Sequence, residues 1–292
     1  MSEILKIVAV TGPTATGKTA LAVALARRFG GEIVSVDSRQ VYRRMDIGTG
    51  KDLGEYGNVR YHLIDVADPA TEVYDLARFC RDASRAVTDI ARRGKTIILC
   101  GGTALYLAAL LNRYELPGGK LTPREPGKPR ERQNPDGEAS FRFPFEAEYL
   151  ILGVLYPRAT VRERIAARLD ARLAAGMIDE VRDLTEKYGV PPEKLEYFGL
   201  EYREVGRYLK GECTRDEMRD TLLDRIRQFA KRQDIFFRKL EREGNPIYWL
   251  PEGNFTEAEK LVTKFLAGAP LPPIVYRLAD HPNQGSSRRN KQ

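Results

Sequence analysis

Gly12-Pro13-Thr14-Ala15-Thr16-Gly17-Lys18-Thr19 matches G-x-x-x-x-G-K-[ST] at every fixed position. Glycines let such a loop curl until several backbone N–H groups point at one anion, and a helix starting after it adds its positive end. Lys18 brings a full charge to a terminal phosphate, and the Thr19 hydroxyl is a natural ligand for Mg2+. Gly12, Thr14, Ala15, Thr16, Gly17, Lys18 and Thr19 are thus candidate polyphosphate contacts. Asp37 is the next candidate. A carboxylate just past a strand can ligate magnesium through water, take a proton from a substrate held beside the phosphates, or cap a turn. Ser38, Gln40 and Tyr42 follow it, hydrogen-bonding side chains with a stackable ring, suited to a purine edge; Gln pairs bidentately with adenine. Thr103, in Gly101-Gly102-Thr103-Ala104-Leu105-Tyr106, is either a polar contact at a reacting centre or a helix N-cap. Arg227, Lys231 and Arg238 recur at intervals of four and seven, so they share one helix face. Such a stripe can bind a diphosphate or a nucleic-acid backbone, or simply face solvent. His62 and His281 are the only histidines and are too far apart to suggest a metal site or a triad.

The elements that must position these groups follow from periodicity. Ile4 to Val10 is apolar and β-branched and reads as a buried strand before the glycine loop; the Ala-rich run through Phe29 reads as a helix. Further strands are expected at Glu32–Asp37, Tyr61–Val66, Thr96–Cys100, Tyr149–Leu155 and Ile247–Leu250. Helices are expected from Leu76 to Arg93, from Val161 through Leu184 with a break at Gly176, from Arg215 to about Glu243, and from Thr256 to Leu266. Thr214 with Glu217 makes a capping box for the longest of these, whose apolar line is Met218, Leu222, Ile226, Phe229, Phe236 and Leu240. Strands that are apolar throughout and alternate with helices predict an α/β fold: a P-loop NTPase-like parallel sheet flanked by helices, with further helices C-terminal. Ligands then bind beyond the carboxyl ends of the strands, where the glycine loop, Asp37 and Thr103 all fall.

The chain is 292 residues long, 42% hydrophobic, with a formal charge of +7. That supports a sizeable core and leans toward a phosphate-rich partner. Three scattered cysteines, Cys80, Cys100 and Cys213, form neither a disulfide framework nor a zinc motif, and are expected as reduced thiols in or near the core of a cytoplasmic protein. No signal peptide or 18-residue apolar span is visible, so no membrane association is expected. The core is expected over 1–112 and 148–266. Residues 113–147, rich in Pro and mixed charge, are expected as a flexible insertion, and 267–292 as a disordered tail.

The ordered motifs GPTATGKT at Gly12–Thr19, DSRQVY at Asp37–Tyr42, MDIGTGK at Met45–Lys51, YHLID at Tyr61–Asp65, GGTALY at Gly101–Tyr106, GLEYRE at Gly199–Glu204 and RQFAKRQ at Arg227–Gln233 resemble the isopentenyltransferase family, specifically tRNA dimethylallyltransferases. The resemblance covers roughly residues 4–112 and 149–250. It implies transfer of a dimethylallyl group from dimethylallyl diphosphate to N6 of adenine-37, in the anticodon loop of tRNAs that read codons beginning with U. By the same resemblance Asp37 is the general base on N6 and Thr103 touches the substrate at the reacting centre. Ser38, Arg39 and Gln40 hold the target adenine, Lys18 and Thr19 contact the diphosphate and Mg2+, and Arg203, Arg227 and Lys231 lie near the diphosphate and tRNA. A monomer is expected.

One departure is visible. Family members carry, after the GGT-x-LY helix, a helical insertion with an HPNDxxR-type segment that grips the anticodon stem. Residues 113–145 hold only the Pro- and charge-rich stretch. An adenylate isopentenyltransferase is therefore one alternative. A small-molecule P-loop kinase and a non-catalytic tRNA-binding relative are others, although the first has no obvious Arg-rich lid and the second no need of Lys18, Thr19, Asp37 and Thr103.

Overall fold

The computed structural model describes residues 4–112 and 143–281. Most of the expected flexible insertion (113–142) and the last part of the expected tail (282–292) lie outside the described residues. Strands β1 (Leu5–Thr11), β2 (Gly31–Ser35), β3 (Tyr61–His62), β4 (Thr96–Cys100), β5 (Ala147–Leu155) and β6 (Ile247–Pro251) form one sheet in the order β3-β2-β4-β1-β5-β6. Every pairing is parallel, with Val8 opposite Ile98 and Leu150 across the central strands.

Parallel strands need crossovers, and these put helices on both faces. On one face Val8, Val10, Ile33, Ile98, Leu150 and Leu152 pack against α1 (Lys18–Phe29) and α9 (Phe255–Leu266). On the other, Ile7, Ala9, Val34, Leu99 and Ile151 pack against a larger layer. That layer contains α2 (Leu76–Arg92), α3 (Ala104–Asn112), α4 (Arg158–Ala174), α5 (Met177–Glu186), α6 (Pro192–Phe198), α7 (Leu200–Leu209) and α8 (Arg215–Arg242). The α4–α5 break falls at Gly176, whose φ of 97° is open to glycine. Thr214 and Glu217 make the expected capping box of α8.

Three expectations are corrected. The third strand is only two residues long, because Leu63 and Asp65 adopt left-handed φ of 64° and 58° and turn the chain away from the sheet. The core resumes before residue 148, with Phe143 and Phe145 packed against it. Nor do residues 267–281 leave the body. Buried Glu241 of α8 accepts from the Trp249 indole at 2.8 Å and from the backbone of Leu278 and Ala279 at 3.1 and 2.6 Å, while Arg238 donates to the Leu278 carbonyl at 3.1 Å. Among the described residues no helix is long and apolar enough to cross a membrane.

Candidate active site

The loop between β1 and α1 is wound by left-handed residues, Gly12 (φ 144°), Ala15 (φ 64°) and Gly17 (φ 79°). Gly12 is needed for a second reason: a Cβ there would sit 2.8 Å from the Val154 carbonyl oxygen of β5. The Thr16 hydroxyl and the Lys18 ammonium both donate to the Pro13 carbonyl, each at 2.8 Å, closing the loop on itself. Beside it opens a cleft of about 330 Å³ lined by Thr14, Ala15, Gly17, Lys18, Thr19 and Asp37, among others.

The cations that face Lys18 across this cleft come from α4. Arg164, Arg168 and Arg172, four apart and so on one helical face, all line it, as does Arg39. Glu201 of α7, 2% exposed, bridges Arg39 and Arg172, the latter at 3.5 Å. Burial works against the Glu201 charge, but the two guanidiniums outweigh it and hold its carboxyl below the ordinary range. Arg168 donates to the Thr14 hydroxyl; burial, helped by the charge of Arg172, lowers its pKa to about 10. The cleft therefore suits an anion, with Arg39, Arg168 and Arg172 already held by protein partners.

Lys18 carries a pH signature. Burial pushes it down to about 8, with Cys100 and Asp37 opposing and Arg168 adding to the shift. A lowered lysine costs the unliganded fold stability below pH about 8, and that cost disappears as pH rises from about 8 toward the unfolded value. An incoming diphosphate favours the charged form, so its binding should take up a proton once Lys18 is largely neutral. Calorimetry at about pH 8.5 in two buffers of different ionisation enthalpy should find uptake of between half and one proton; no uptake would contradict this reading of Lys18.

Asp37 lies two residues past the end of β2. Its Oδ1 accepts from the backbone of Arg39 at 2.9 Å and of Gln40 at 3.3 Å, and among the described residues no hydrogen bond is made by its other oxygen. Turn cap and open carboxylate are thus the same residue. The Thr103 hydroxyl accepts from the Ser38 backbone at 3.0 Å and lies 3.5 Å from the Ser38 hydroxyl, so it pins the Asp37 turn to the end of β4. Gly101 allows this approach, since a Cβ there would stand 2.2 Å from the Val36 carbonyl oxygen.

On the far side of Asp37 a second cleft, about 570 Å³, is walled by aromatic rings: Tyr42, Tyr74, Tyr106, Tyr197, Phe198 and Phe229. Asp37, Arg39, Gly102, Phe229 and Gln233 line both clefts. One side of Asp37 therefore suits an anion and the other an apolar or flat aromatic group.

Several candidates sit elsewhere than expected. The Gln40 amide accepts from the Ser35 hydroxyl at 3.0 Å and donates to the Gly50 carbonyl at 3.1 Å, and it lines the anion cleft and not the aromatic one. Tyr42 is 1% exposed, and its hydroxyl accepts from the Tyr74 backbone. Arg203 pairs with Glu204 at 2.8 Å and does not line the anion cleft. Arg227, Lys231 and Arg238 do share a surface, but it is a third, larger cleft of about 920 Å³, shared with Arg158, Arg162, Tyr156 and Tyr276. It touches the glycine loop only at Pro13. The MDIGTGK and YHLID motifs are tied together, buried Lys51 binding Asp46 and Asp65 and the Glu180 carboxylate accepting from the backbone of Asp46, Ile47 and Gly48 at 2.8, 2.6 and 3.0 Å, and the first of them also brings Thr49 and Gly50 to the wall of the anion cleft.

Sequence reasoning missed Arg164, Arg168, Arg172, Phe229 as a cleft wall, and Gln233. The arginine spacing of four was a legible signal, overshadowed by the apolar stripe of the same helix. Among the described residues no group of three or more His, Cys, Asp or Glu forms a metal cage. Thr19, Asp37, Asp52 and Glu55 all line the anion cleft, a donor set suited to Mg2+ that takes most of its ligands from diphosphate and water.

A family model described as IPP transferase matches residues 40–140 and 121–240. The chain is 45% identical to tRNA dimethylallyltransferase 1 of Geotalea uraniireducens, over 84% of this chain and 92% of that protein. It is 43% identical to tRNA dimethylallyltransferase 2 of Pelobacter propionicus, over 88% and 93%. Among solved structures, the full-length tRNA isopentenylpyrophosphate transferase of Bacillus halodurans superposes with a TM-score of 0.73 at 29% identity, covering 90% of this chain and 97% of that one. A eukaryotic dimethylallyltransferase shares the fold, with a TM-score of 0.74 at 22% identity over 92% of this chain and 81% of its own.

Proposed function

The chain belongs to the IPP transferase family, and on that premise we propose that it transfers a dimethylallyl group from dimethylallyl diphosphate to N6 of adenine-37 in the tRNA anticodon loop, acting as a cytoplasmic monomer. The observation that carries this reading is the position of Asp37 on the wall shared by a cationic cleft and an aromatic one. A kinase moves a charged phosphoryl group and needs no apolar wall for the group in transit. An enzyme that moves a five-carbon apolar group off a diphosphate needs both clefts, side by side.

The donor's diphosphate lies against the glycine loop, Lys18 and the α4 arginines, and its allylic carbon points to the junction. The rings of Tyr106, Tyr197, Phe198 and Phe229 exclude water from that carbon and offer flat faces to the adenine. The N6 lone pair, delocalised into the purine, is a poor nucleophile. As it attacks, the C1–O bond breaks, the electron pair leaves with the diphosphate, and Asp37 takes the N6 proton. Positioned general-base help of this kind is worth about 10²–10⁴-fold. Charge developing on the leaving oxygens meets groups already fixed in place, which is where electrostatic stabilisation is most effective. Mg2+, held by Thr19 and cleft carboxylates, would supply further charge neutralisation to the diphosphate. An adenine stacked in a loop must be extruded to reach Asp37.

The third cleft supports a polynucleotide acceptor over free AMP: Arg158, Arg162, Arg227, Lys231 and Arg238 against Asp224 and Asp234 is more positive charge than one nucleotide needs. Accordingly, Arg227→Ala with Lys231→Ala should weaken tRNA binding and reduce its log–log salt slope by about 2, leaving the KM for dimethylallyl diphosphate unchanged. An unchanged slope would remove this cleft from the tRNA footprint. The function itself is tested in cells: expression in a host lacking its own enzyme should restore N6-dimethylallyl-adenosine in tRNA digests, and its absence alongside prenylated AMP would point to the adenylate enzyme.

A further inference from the structure

Along α8 the buried positions include Met218, Leu222, Ile226, Ala230, Gln233, Phe237 and Leu240, a core stripe in steps of four and three. Gln233 breaks its apolar character while 5% exposed. Burying an amide is unfavourable unless both of its ends find partners. Here both do, on different walls of the site. Oε1 accepts from the Thr14 backbone of the glycine loop at 2.8 Å, and Nε2 donates to the Gly102 carbonyl at 3.0 Å. An N–H requires the oxygen and a carbonyl requires the nitrogen, so only one orientation of the amide satisfies both. Gly102 is part of the arrangement, because a Cβ there would lie 2.5 Å from Nε2.

We propose that Gln233 is a positioning residue for the transfer: its amide sets the spacing between the glycine loop, which holds the leaving diphosphate, and the Gly102–Thr103 turn, which steadies Asp37. This rests on the function proposed above. The two halves it joins carry opposite ends of one in-line displacement, and no other described side chain hydrogen-bonds to both Thr14 and Gly102. Each half is internally held, the loop by Thr16 and Lys18 and the turn by Thr103 and Ser38. Loss of the link therefore leaves each substrate's own contacts and disturbs only their mutual distance. The link also gives the Thr14 N–H a partner within the protein.

Two variants test this. Gln233→Leu, apolar on an otherwise apolar stripe, should lower kcat by about 10–100-fold, the scale expected for misplacement of about 1 Å, with both KM values within about threefold of wild type. Gln233→Glu keeps the acceptor toward Thr14 but faces Gly102 with a carboxylate oxygen. Protonation restores a donor there, so its rate relative to wild type should climb as pH falls from 7 toward 5, burial raising the new carboxyl's pKa. Amide exchange at Thr14 should quicken in the Leu variant and stay slow in the Glu variant. A wild-type kcat for Gln233→Leu, an equal loss of kcat and of both substrate affinities, or a pH-independent Glu-to-wild-type ratio would each overturn the proposal. Absence of transfer by the wild type would instead sink the function, and the exchange rates would still decide the link.

Discussion

Asp37→Asn should fold as the wild type does, bind dimethylallyl diphosphate and tRNA within about threefold of it, and lose about 10²–10⁴-fold in kcat. The structure makes this substitution unusually clean. The oxygen that caps the turn toward Arg39 and Gln40 is preserved by an asparagine, so the backbone and the Thr103–Ser38 contact have no reason to move. What disappears is the capacity of the other oxygen to take a proton from N6. Asp37→Ala is the instructive control, because it also removes the two caps and should add a loss of stability. If Asp37→Asn transferred the prenyl group at the wild-type rate, the proton would have to go elsewhere and the placing of Asp37 at the junction would lose its meaning.

The second large effect is expected at Glu201→Gln, a residue that lines neither the anion cleft nor the aromatic one. The carboxylate is 2% exposed and neutralises Arg39 and Arg172. Removing one member of a buried ion pair costs about 3–5 kcal/mol; the lower end applies here, since Arg172 and Arg39 keep 11% and 18% of their side-chain surface open to the cleft. Urea unfolding should register this loss. Added diphosphate should then stabilise the variant more than the wild type, because the anion supplies the missing negative charge to the same two guanidiniums. The pH dependence has a definite sign. The Glu201 pKa is depressed in the folded state, so its contribution is present above the ordinary carboxylate range and is lost as pH falls through the lowered value. A Gln variant as stable as wild type, gaining no more from diphosphate, would contradict the assignment of Glu201 as the counter-charge of the anion cleft.

The sequence carried the fold well where local signals and tertiary outcome agree. Thr96–Cys100, apolar throughout, forms a strand with those bounds, and the Thr214 capping box starts α8. It carried less where backbone conformation intervened: left-handed Leu63 and Asp65 cut β3 short, and Gly199 at φ 66° separates α6 from α7, two short helices that periodicity did not announce. The glycine loop, Asp37 and Thr103 were legible because all three sit past strand ends, and a parallel sheet brings such ends to one rim. The arginines of α4 showed their common face by spacing, but spacing does not say which cavity that face meets. For the same reason Arg227 and Lys231, correctly placed on one face, turned out to line a different cleft from Lys18. Phe229 read as core because apolar spacing cannot distinguish a core position from the wall of a cleft. Gln233 and Glu241 were discoverable as polar residues at core periodicity, a pattern that in α8 marks a link to another segment each time it occurs.

The most direct measurement is transfer of labelled dimethylallyl diphosphate by the purified protein in the presence of Mg2+, with an equimolar mixture of AMP and a tRNA carrying adenine at positions 36 to 38 as acceptors. The account predicts label on N6 of adenine-37 in the tRNA, none on AMP, and none on a tRNA with guanine at position 37. Label on AMP but not on tRNA, or no transfer to either, would contradict it.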